Sequence, residues 1–110
     1  MEVFNEKKNG ITCLRVEGRL DAGAAPAFEK ALISAIKEDS SKLIVNLSEL
    51  AYISSAGLRA LLVGAKEIKS KGGKMILACP NESVKKVFDI SGFSSIFDLQ
   101  DSIDAAIKKF

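Results

Sequence analysis

The chain has 110 residues, 47% of them apolar and 27% charged, a composition typical of one ordinary globular domain. Its 16 basic and 14 acidic side chains leave a net charge of +2, too small to indicate a nucleic-acid surface. No apolar run reaches the roughly 18 residues of a membrane span, and the N-terminus lacks the pattern of a signal peptide. We therefore expect one cytoplasmic domain over residues 1–110 that binds neither nucleic acid nor membrane.

The first half of the chain predicts a hairpin, a helix and a buried strand. Extended segments at residues 2–7 and 11–17 flank Asn-Gly at 9–10, the strongest short hairpin signal. In the second segment, alternation places Leu14 and Val16 on one face and Cys13 and Arg15 on the other. A helix is expected from about residue 24, with an apolar stripe of Phe28, Leu32, Ala35 and Ile36. Residues 43–47 are almost wholly apolar, as in a strand covered on both faces.

The second half predicts three further helices. Residues 48–53 are interpreted as a short connection, and a helix begins at Ser54 or Ser55 and ends at the glycines 72–73. Residues 75–79 predict a buried strand, and residues 80–83 open a third helix that Gly92 closes. Residues 96–97 are expected to form a short edge strand, and Ser102 to cap a last helix. This order predicts an α/β sandwich, in which an N-terminal β-hairpin leads into a mixed central sheet of four or five strands flanked by about four helices.

Missing residue types argue against a self-contained enzyme. The chain has no histidine, the commonest general base and a frequent zinc ligand, and it has no phosphate-binding glycine pattern. Cys13 and Cys79 lie in apolar runs and are predicted to be small buried side chains in a reducing compartment, with a disulfide less favoured. We expect no catalytic residues, no metal and no cofactor, with acid chemistry by a carboxylate pair left open.

Two neighbouring serines mark the start of the second helix. One of Ser54 and Ser55 would cap the helix by accepting a hydrogen bond from a free backbone N–H, and capping alone explains most serines at such positions. Capping does not explain Gly57 in the first turn, where alanine would favour the helix by roughly 1 kcal/mol. Gly57 therefore indicates a close approach, either by the chain itself or by a partner.

Residues 53–58, Ile-Ser-Ser-Ala-Gly-Leu, resemble the signature of the anti-sigma factor antagonists, small bacterial proteins built as one STAS domain. Four further segments match that family in the same order along essentially the whole chain, and the resemblance implies the STAS-like fold. They are Gly-Arg-Leu-Asp at 18–21, Ile-Val-Asn-Leu-Ser at 44–48, Gly-Gly-Lys-Met at 72–75 and Val-Phe-Asp-Ile-Ser-Gly at 87–92.

The resemblance implies that Ser55, two residues before the glycine, is phosphorylated by an anti-sigma factor that is also a serine kinase. The family often has aspartate just before this serine; here Ser54 stands there and becomes a second candidate acceptor. Asn46 likewise stands where the family often has aspartate. The same resemblance implies that the unmodified protein binds the anti-sigma factor and frees the sigma factor. It further implies that phosphorylation ends this binding and that a serine phosphatase restores the unmodified form.

The partner-binding surface is expected around the start of the second helix. Its candidate residues are Asp21, Gly23, Ser54, Ser55, Ala56, Gly57 and Arg59. The alternatives are a turn with a helix cap for residues 21–23 and simple solvation for Arg59. Tyr52 and Ile53 are expected to be buried under the loop, and Leu58, Leu62 and Phe88 to lie in the core.

Two other functions stay open at this point. A STAS module that is never phosphorylated would be a docking subunit of a signalling or transport assembly, with both serines only capping. A small nucleotide-binding or hydrolytic α/β protein has only Gly72, Gly73 and scattered lysines in its favour.

Overall fold

A hairpin followed by alternating helices and strands builds one mixed sheet in a computed structural model, which describes residues 1–39 and 41–110. Asn9 and Gly10 take positive φ in the turn between the first two strands, a conformation that asparagine and glycine both tolerate. The elements are β1 (Glu2–Lys8), β2 (Ile11–Leu20), α1 (Ala25–Asp39), β3 (Lys42–Asn46), β4 (Leu50–Ile53), α2 (Ser55–Ser70), β5 (Lys74–Ala78), α3 (Glu82–Ser91), a 3₁₀ turn (Phe93–Ser95), β6 (Leu99–Gln100) and α4 (Ile103–Ile107).

Five strands lie side by side in the order β1-β2-β3-β5-β6. The hairpin pair β1–β2 is antiparallel and the other pairs are parallel, which confirms the mixed sheet. The strand β4 pairs in parallel with Gly18–Leu20 at the end of β2, and the register shifts between Gly18, which has a φ of 95°, and Arg19. Because α1–α4 separate or flank these strands, the predicted sandwich with about four helices is confirmed.

Two apolar clusters lie on opposite faces of β2, as the alternation of its side chains predicts. Leu14 and Val16 belong to the larger cluster, which includes the apolar stripes of α1, α2 and α3. Cys13 packs against the smaller cluster around Ile44 and Ile76, to which α4 contributes Ala106. The start of α2 is thus anchored by the larger core, since Leu58 and Leu61 are both almost fully buried.

The predicted helical stripes are largely confirmed. Phe28, Leu32, Ala35 and Ile36 of α1 are all buried, as are Val84 and Phe88 of α3. In α2, Leu62 was expected in the core and is only partly buried at its margin. A Cβ at Gly64 would lie 2.2 Å from Leu32 Cδ2, so this glycine lets α1 and α2 pack at very short distance.

Two predictions about the strands were wrong. Residues 48–53 are not only a connection, since Leu50–Ile53 form β4, which pairs with the distant residues Gly18–Leu20 of β2. The edge strand is Leu99–Gln100 and not residues 96–97. Phe97 lies in the core instead, where its ring meets the Phe88 ring edge-on at 5.8 Å between centroids.

The two cysteines are free thiols, as the sequence favoured, but they are only partly buried and not buried as expected. Cys13 lies at the open margin of the smaller cluster, because the five-residue helix α4 covers only part of this sheet face. Burial raises the pKa of both the Cys13 and the Cys79 thiols, and both groups therefore stay protonated at neutral pH.

Within the described residues no helix has both the length and the apolar character needed to cross a membrane.

Candidate functional site

The start of α2 is fastened to the end of β2. The backbone N–H of Ser54 donates to the carbonyl oxygen of Leu20 at 2.9 Å, and the Ser54 hydroxyl donates to the same oxygen at 3.0 Å. Because Asp21 follows Leu20 directly, these two bonds hold the connection between β2 and α1 beside the first turn of α2. The structure therefore brings the predicted residues 21–23 and 54–57 to one end of the molecule.

Ser54 is the N-cap of α2. Its backbone is extended, with φ −95° and ψ 172°, and its hydroxyl oxygen accepts from the N–H of Gly57 at 3.2 Å. The Ser54 hydroxyl is thus engaged both as donor and as acceptor, and its side chain is partly buried. Of the two serines, Ser54 provides the cap that the sequence predicts.

Ser55, in contrast, is exposed at the first position of α2. Its hydroxyl has no hydrogen-bond partner among the described residues. Ser54 accepts from the N–H groups of Gly57 and Leu58, which leaves the N–H groups of Ser55 and Ala56 without an acceptor in the described part of the chain. The free Ser55 hydroxyl therefore lies at the positive end of a 16-residue helix.

Gly57 allows the close approach of α2 to β2. A Cβ at this position would lie 2.8 Å from Leu20 Cγ, 2.9 Å from Ile53 Cγ1 and 3.0 Å from the Leu20 carbonyl oxygen. The chain itself, and not a partner, therefore requires glycine here. This resolves the alternative that the sequence left open.

The other predicted contact residues lie on the two chain segments that meet at Leu20. Asp21 and Gly23 are exposed, and the Asp21 carboxylate accepts from the N–H of Ala24 at 2.9 Å in the turn before α1, which agrees with the turn that was part of one expectation. Arg59 lies one helical turn after Ser55 and is exposed, with no ion pair among the described residues. Ala56 is partly exposed between Ser55 and the buried Gly57.

Tyr52 is more exposed than the sequence predicts. Ile53 is 2% exposed, as expected, but Tyr52 is 38% exposed and points to the other face of β4. The Arg19 guanidinium lies 4.3 Å from the centre of the Tyr52 ring, a cation–π contact between neighbouring strands. Alternation along β4 would place Tyr52 on the same face as the buried Leu50, but the register with β2 shifts between Leu50 and Tyr52, so the exposure of Tyr52 follows from this irregularity and not from a simple strand pattern.

Asn81 is a further residue that sequence reasoning did not connect with this end of the molecule. It caps α3 by accepting from the N–H of Val84 at 2.8 Å, and its amide group donates to the Leu50 carbonyl oxygen at 2.9 Å. The side chain thereby joins α3 to β4, the strand that leads into Ser55.

Asn46 and the glycine pair have local structural functions. The Asn46 side-chain oxygen accepts from the N–H of Ser48 at 3.0 Å in the turn after β3. Gly72 takes a φ of 77°, and the N–H of Gly73 donates to the Ile68 carbonyl oxygen at 2.8 Å, so the pair terminates α2.

The described residues include no group of three or more side chains placed to hold a metal ion.

Comparison with known proteins gives consistent matches over nearly the whole chain. The STAS domain profile matches residues 3–106. BtrV of Bordetella bronchiseptica, named a putative anti-sigma factor antagonist, is 33% identical over 110 residues, which are all of this chain and 95% of that protein. A putative anti-sigma factor antagonist from Thermotoga maritima has the same fold, with a TM-score of 0.90 at 24% identity over 97% of this chain and 92% of that one.

The Bacillus cell fate determinant SpoIIAA also has this fold. Its unphosphorylated form, named an anti-sigma factor antagonist, gives a TM-score of 0.81 at 24% identity, over 98% of this chain and 95% of that chain. Its phosphorylated form gives a TM-score of 0.73 at 24% identity, over 98% of each chain.

Proposed function

Because the chain belongs to the STAS domain family of anti-sigma factor antagonists, we propose that it binds an anti-sigma factor through the surface around Ser55. Binding releases the sigma factor that the anti-sigma factor holds. The anti-sigma factor is also a serine kinase, which transfers the terminal phosphoryl group of ATP to Ser55 and thereby ends the binding. A serine phosphatase removes the phosphate and restores the binding form. In this proposal the chain is a regulatory binding protein and not an enzyme.

The exposed Ser55 hydroxyl is the observation that supports this proposal most strongly. It has no hydrogen-bond partner among the described residues, whereas the Ser54 hydroxyl makes two hydrogen bonds and is partly buried. A kinase could reach Ser55 without disturbing the fold, but phosphorylation of Ser54 would break the cap of α2. This contrast favours Ser55 as the acceptor and argues against Ser54, the second candidate.

The position of Ser55 also favours a phosphate that the fold tolerates. A phosphoserine has a charge of about −1.5 to −2 at neutral pH. At the first position of α2 this charge would lie beside free N–H groups and the positive end of the helix, where an anion is stabilised by roughly 0.3–1 kcal/mol. Arg59, one turn along the helix, adds a further positive charge on the same side.

The same charge would oppose binding of a partner. In a closely packed interface the phosphate must lose its water or face carboxylates, and either change costs several kcal/mol. Since about 1.4 kcal/mol is a tenfold change in affinity, a single phosphate is enough to release the partner. The phosphorylated form of SpoIIAA, which has the same fold, supports modification of this kind of domain.

The proposal is tested by incubating the chain with its candidate kinase and ATP and locating the phosphate by mass spectrometry. We expect one phosphate on Ser55, none on the Ser55→Ala variant, and normal phosphorylation of the matched Ser54→Ala variant. Unchanged phosphorylation of Ser55→Ala would contradict the proposed site and direct attention to Ser54. Stable binding to an anti-sigma factor with no phosphorylation at all would instead favour a docking subunit that is never modified.

A further inference from the structure

Two arginines of strand β2 each stack on an aromatic ring of a neighbouring strand, but only one of them also has carboxylate partners. The Arg15 guanidinium lies 4.3 Å from the centre of the Phe4 ring, and the Arg19 guanidinium lies 4.3 Å from the centre of the Tyr52 ring. Arg15 also forms ion pairs with the carboxylates of Glu6 and Glu17. Arg19 has no carboxylate partner among the described residues and is exposed. The N–H groups of Arg19 are therefore available to a carboxylate from another molecule.

Tyr52 and Arg19 also form one side of a groove between β4 and α3. The groove has a volume of about 240 Å³, and its opposite side is formed by Ser83, Val84 and Val87 of α3. This volume is below the range of roughly 300–1,000 Å³ that is usual for small-molecule pockets, which favours one bulky side chain of a protein over a small ligand.

The groove is lined by residues that are close in the chain to the site, since β4 leads directly into Ser55. Tyr52 precedes Ser55 by only three residues, and Ile53, between them in the chain, also lines the groove. Tyrosine and arginine are also the residue types that contribute most to the affinity of protein interfaces. A partner that covers Ser55 therefore needs to extend only a short distance to reach this groove.

We propose that the anti-sigma factor extends from Ser55 across this groove, inserts an apolar side chain against Tyr52 and Val87, and pairs a neighbouring carboxylate with Arg19. The carboxylate is required because covering an arginine without an opposite charge costs several kcal/mol. The partner segment is thus apolar and acidic. This inference rests on the proposed function, since it assigns further contacts to the same partner.

The test uses the purified anti-sigma factor kinase that phosphorylates the unmodified chain, titrated by calorimetry into single-site variants. Arg19→Gln and Tyr52→Ala are each expected to weaken the affinity by at least about tenfold. The matched variants Arg15→Gln and Phe4→Ala remove the same type of contact away from Ser55 and should change the affinity less than about twofold. In the kinase reaction Arg19→Gln should raise KM for the chain and leave kcat unchanged, because Arg19 binds the partner without touching the acceptor hydroxyl.

Several outcomes would overturn this inference. Equal affinity of Arg19→Gln and the unmodified chain would exclude the contact, and an equal loss in the Arg15 and Arg19 variants would show a non-specific effect of charge. A dimer of this chain that dissociates in Tyr52→Ala would show that a second copy occupies the groove. Arg19→Gln changes an exposed side chain, so it remains informative even if Tyr52→Ala is unstable.

Failure of the unmodified chain to bind any anti-sigma factor would refute the proposed function itself, whereas binding that depends on Ser55 but not on Arg19 would refute only this inference.

Discussion

Ser54 and Ser55 have the same side chain, but their surroundings give them different functions. The Ser54 hydroxyl donates to a carbonyl 34 residues earlier in the chain and accepts from the first turn of its own helix. The Ser55 hydroxyl is exposed and has no partner in the described part of the chain. The sequence alone could not distinguish them, since either serine can cap a helix. The distant Leu20 carbonyl decides which one does.

This difference predicts unequal effects of two matched substitutions. Ser54→Ala removes the cap and a hydrogen bond to Leu20, and should lower the free energy of unfolding by about 1–2 kcal/mol. Ser55→Ala removes no hydrogen bond and should change it by less than about 0.5 kcal/mol. Urea denaturation of both variants measures these values, provided that the slope with urea is unchanged. Equal destabilisation by both substitutions would contradict the assignment of the cap.

Gly57 and Gly23 provide a second matched pair at the same end of the molecule. Gly57→Ala would place a methyl group within 3.0 Å of backbone and side-chain atoms of Leu20, and we expect a loss of about 1–3 kcal/mol despite the better helix propensity of alanine. At Gly23 the nearest atom to an added Cβ is Asp21 Oδ1 at 3.5 Å, which is an ordinary contact. Gly23→Ala should therefore change the free energy of unfolding by less than about 0.5 kcal/mol, measured by thermal or urea denaturation. A neutral Gly57→Ala would show that α2 can move away from β2.

At the scale of secondary structure, β4 connects the site to the rest of the fold. Three of its four residues pair with β2, and the Asn81 side chain at the start of α3 donates to the Leu50 carbonyl oxygen. The helix start that presents Ser55 thus depends on both β2 and α3.

Asn81 allows this link to be tested separately from the helix cap. Asn81→Asp keeps an oxygen that can accept from Val84 N–H but loses the donor to Leu50, and should cost about 0.5–1.5 kcal/mol. Asn81→Ala also loses the cap and should cost about 1 kcal/mol more. Hydrogen exchange of the amides in α3 and β4 measures both changes. An Asn81→Asp variant as stable as the unmodified chain would show that the bond to Leu50 contributes nothing.

The sequence predicts elements well where the signal is local. The stripe in α1, the start of α3 at residues 80–83, the cap Ser102 and the Gly92 that closes α3 all lie within one or two turns of the residues that they order. The strands β4 and β6 are short, and their positions depend on pairing with distant strands, so residues 48–53 and 96–97 were misassigned. Exposure of Tyr52 was missed for a related reason, because it follows from the register shift between β4 and β2.

At the scale of the whole molecule, the fold gathers the predicted contact residues at one end. Residues 21–23 and 54–59 are far apart in the chain and are brought together by the two bonds to Leu20. Family resemblance indicated these residues, and strand order explains why they meet, since parallel strands end at the same edge of the sheet.

We propose that a phosphate on Ser55 controls partner binding without altering the fold. The most direct measurement compares the affinity of the anti-sigma factor for the unmodified chain and for a chain with phosphoserine at position 55, alongside the thermal unfolding of both. We predict that the phosphoserine form binds at least about tenfold more weakly, a difference of about 1.4 kcal/mol or more, while its unfolding temperature stays close to that of the unmodified chain. Equal affinities for the two forms would show that a phosphate on Ser55 does not control partner binding.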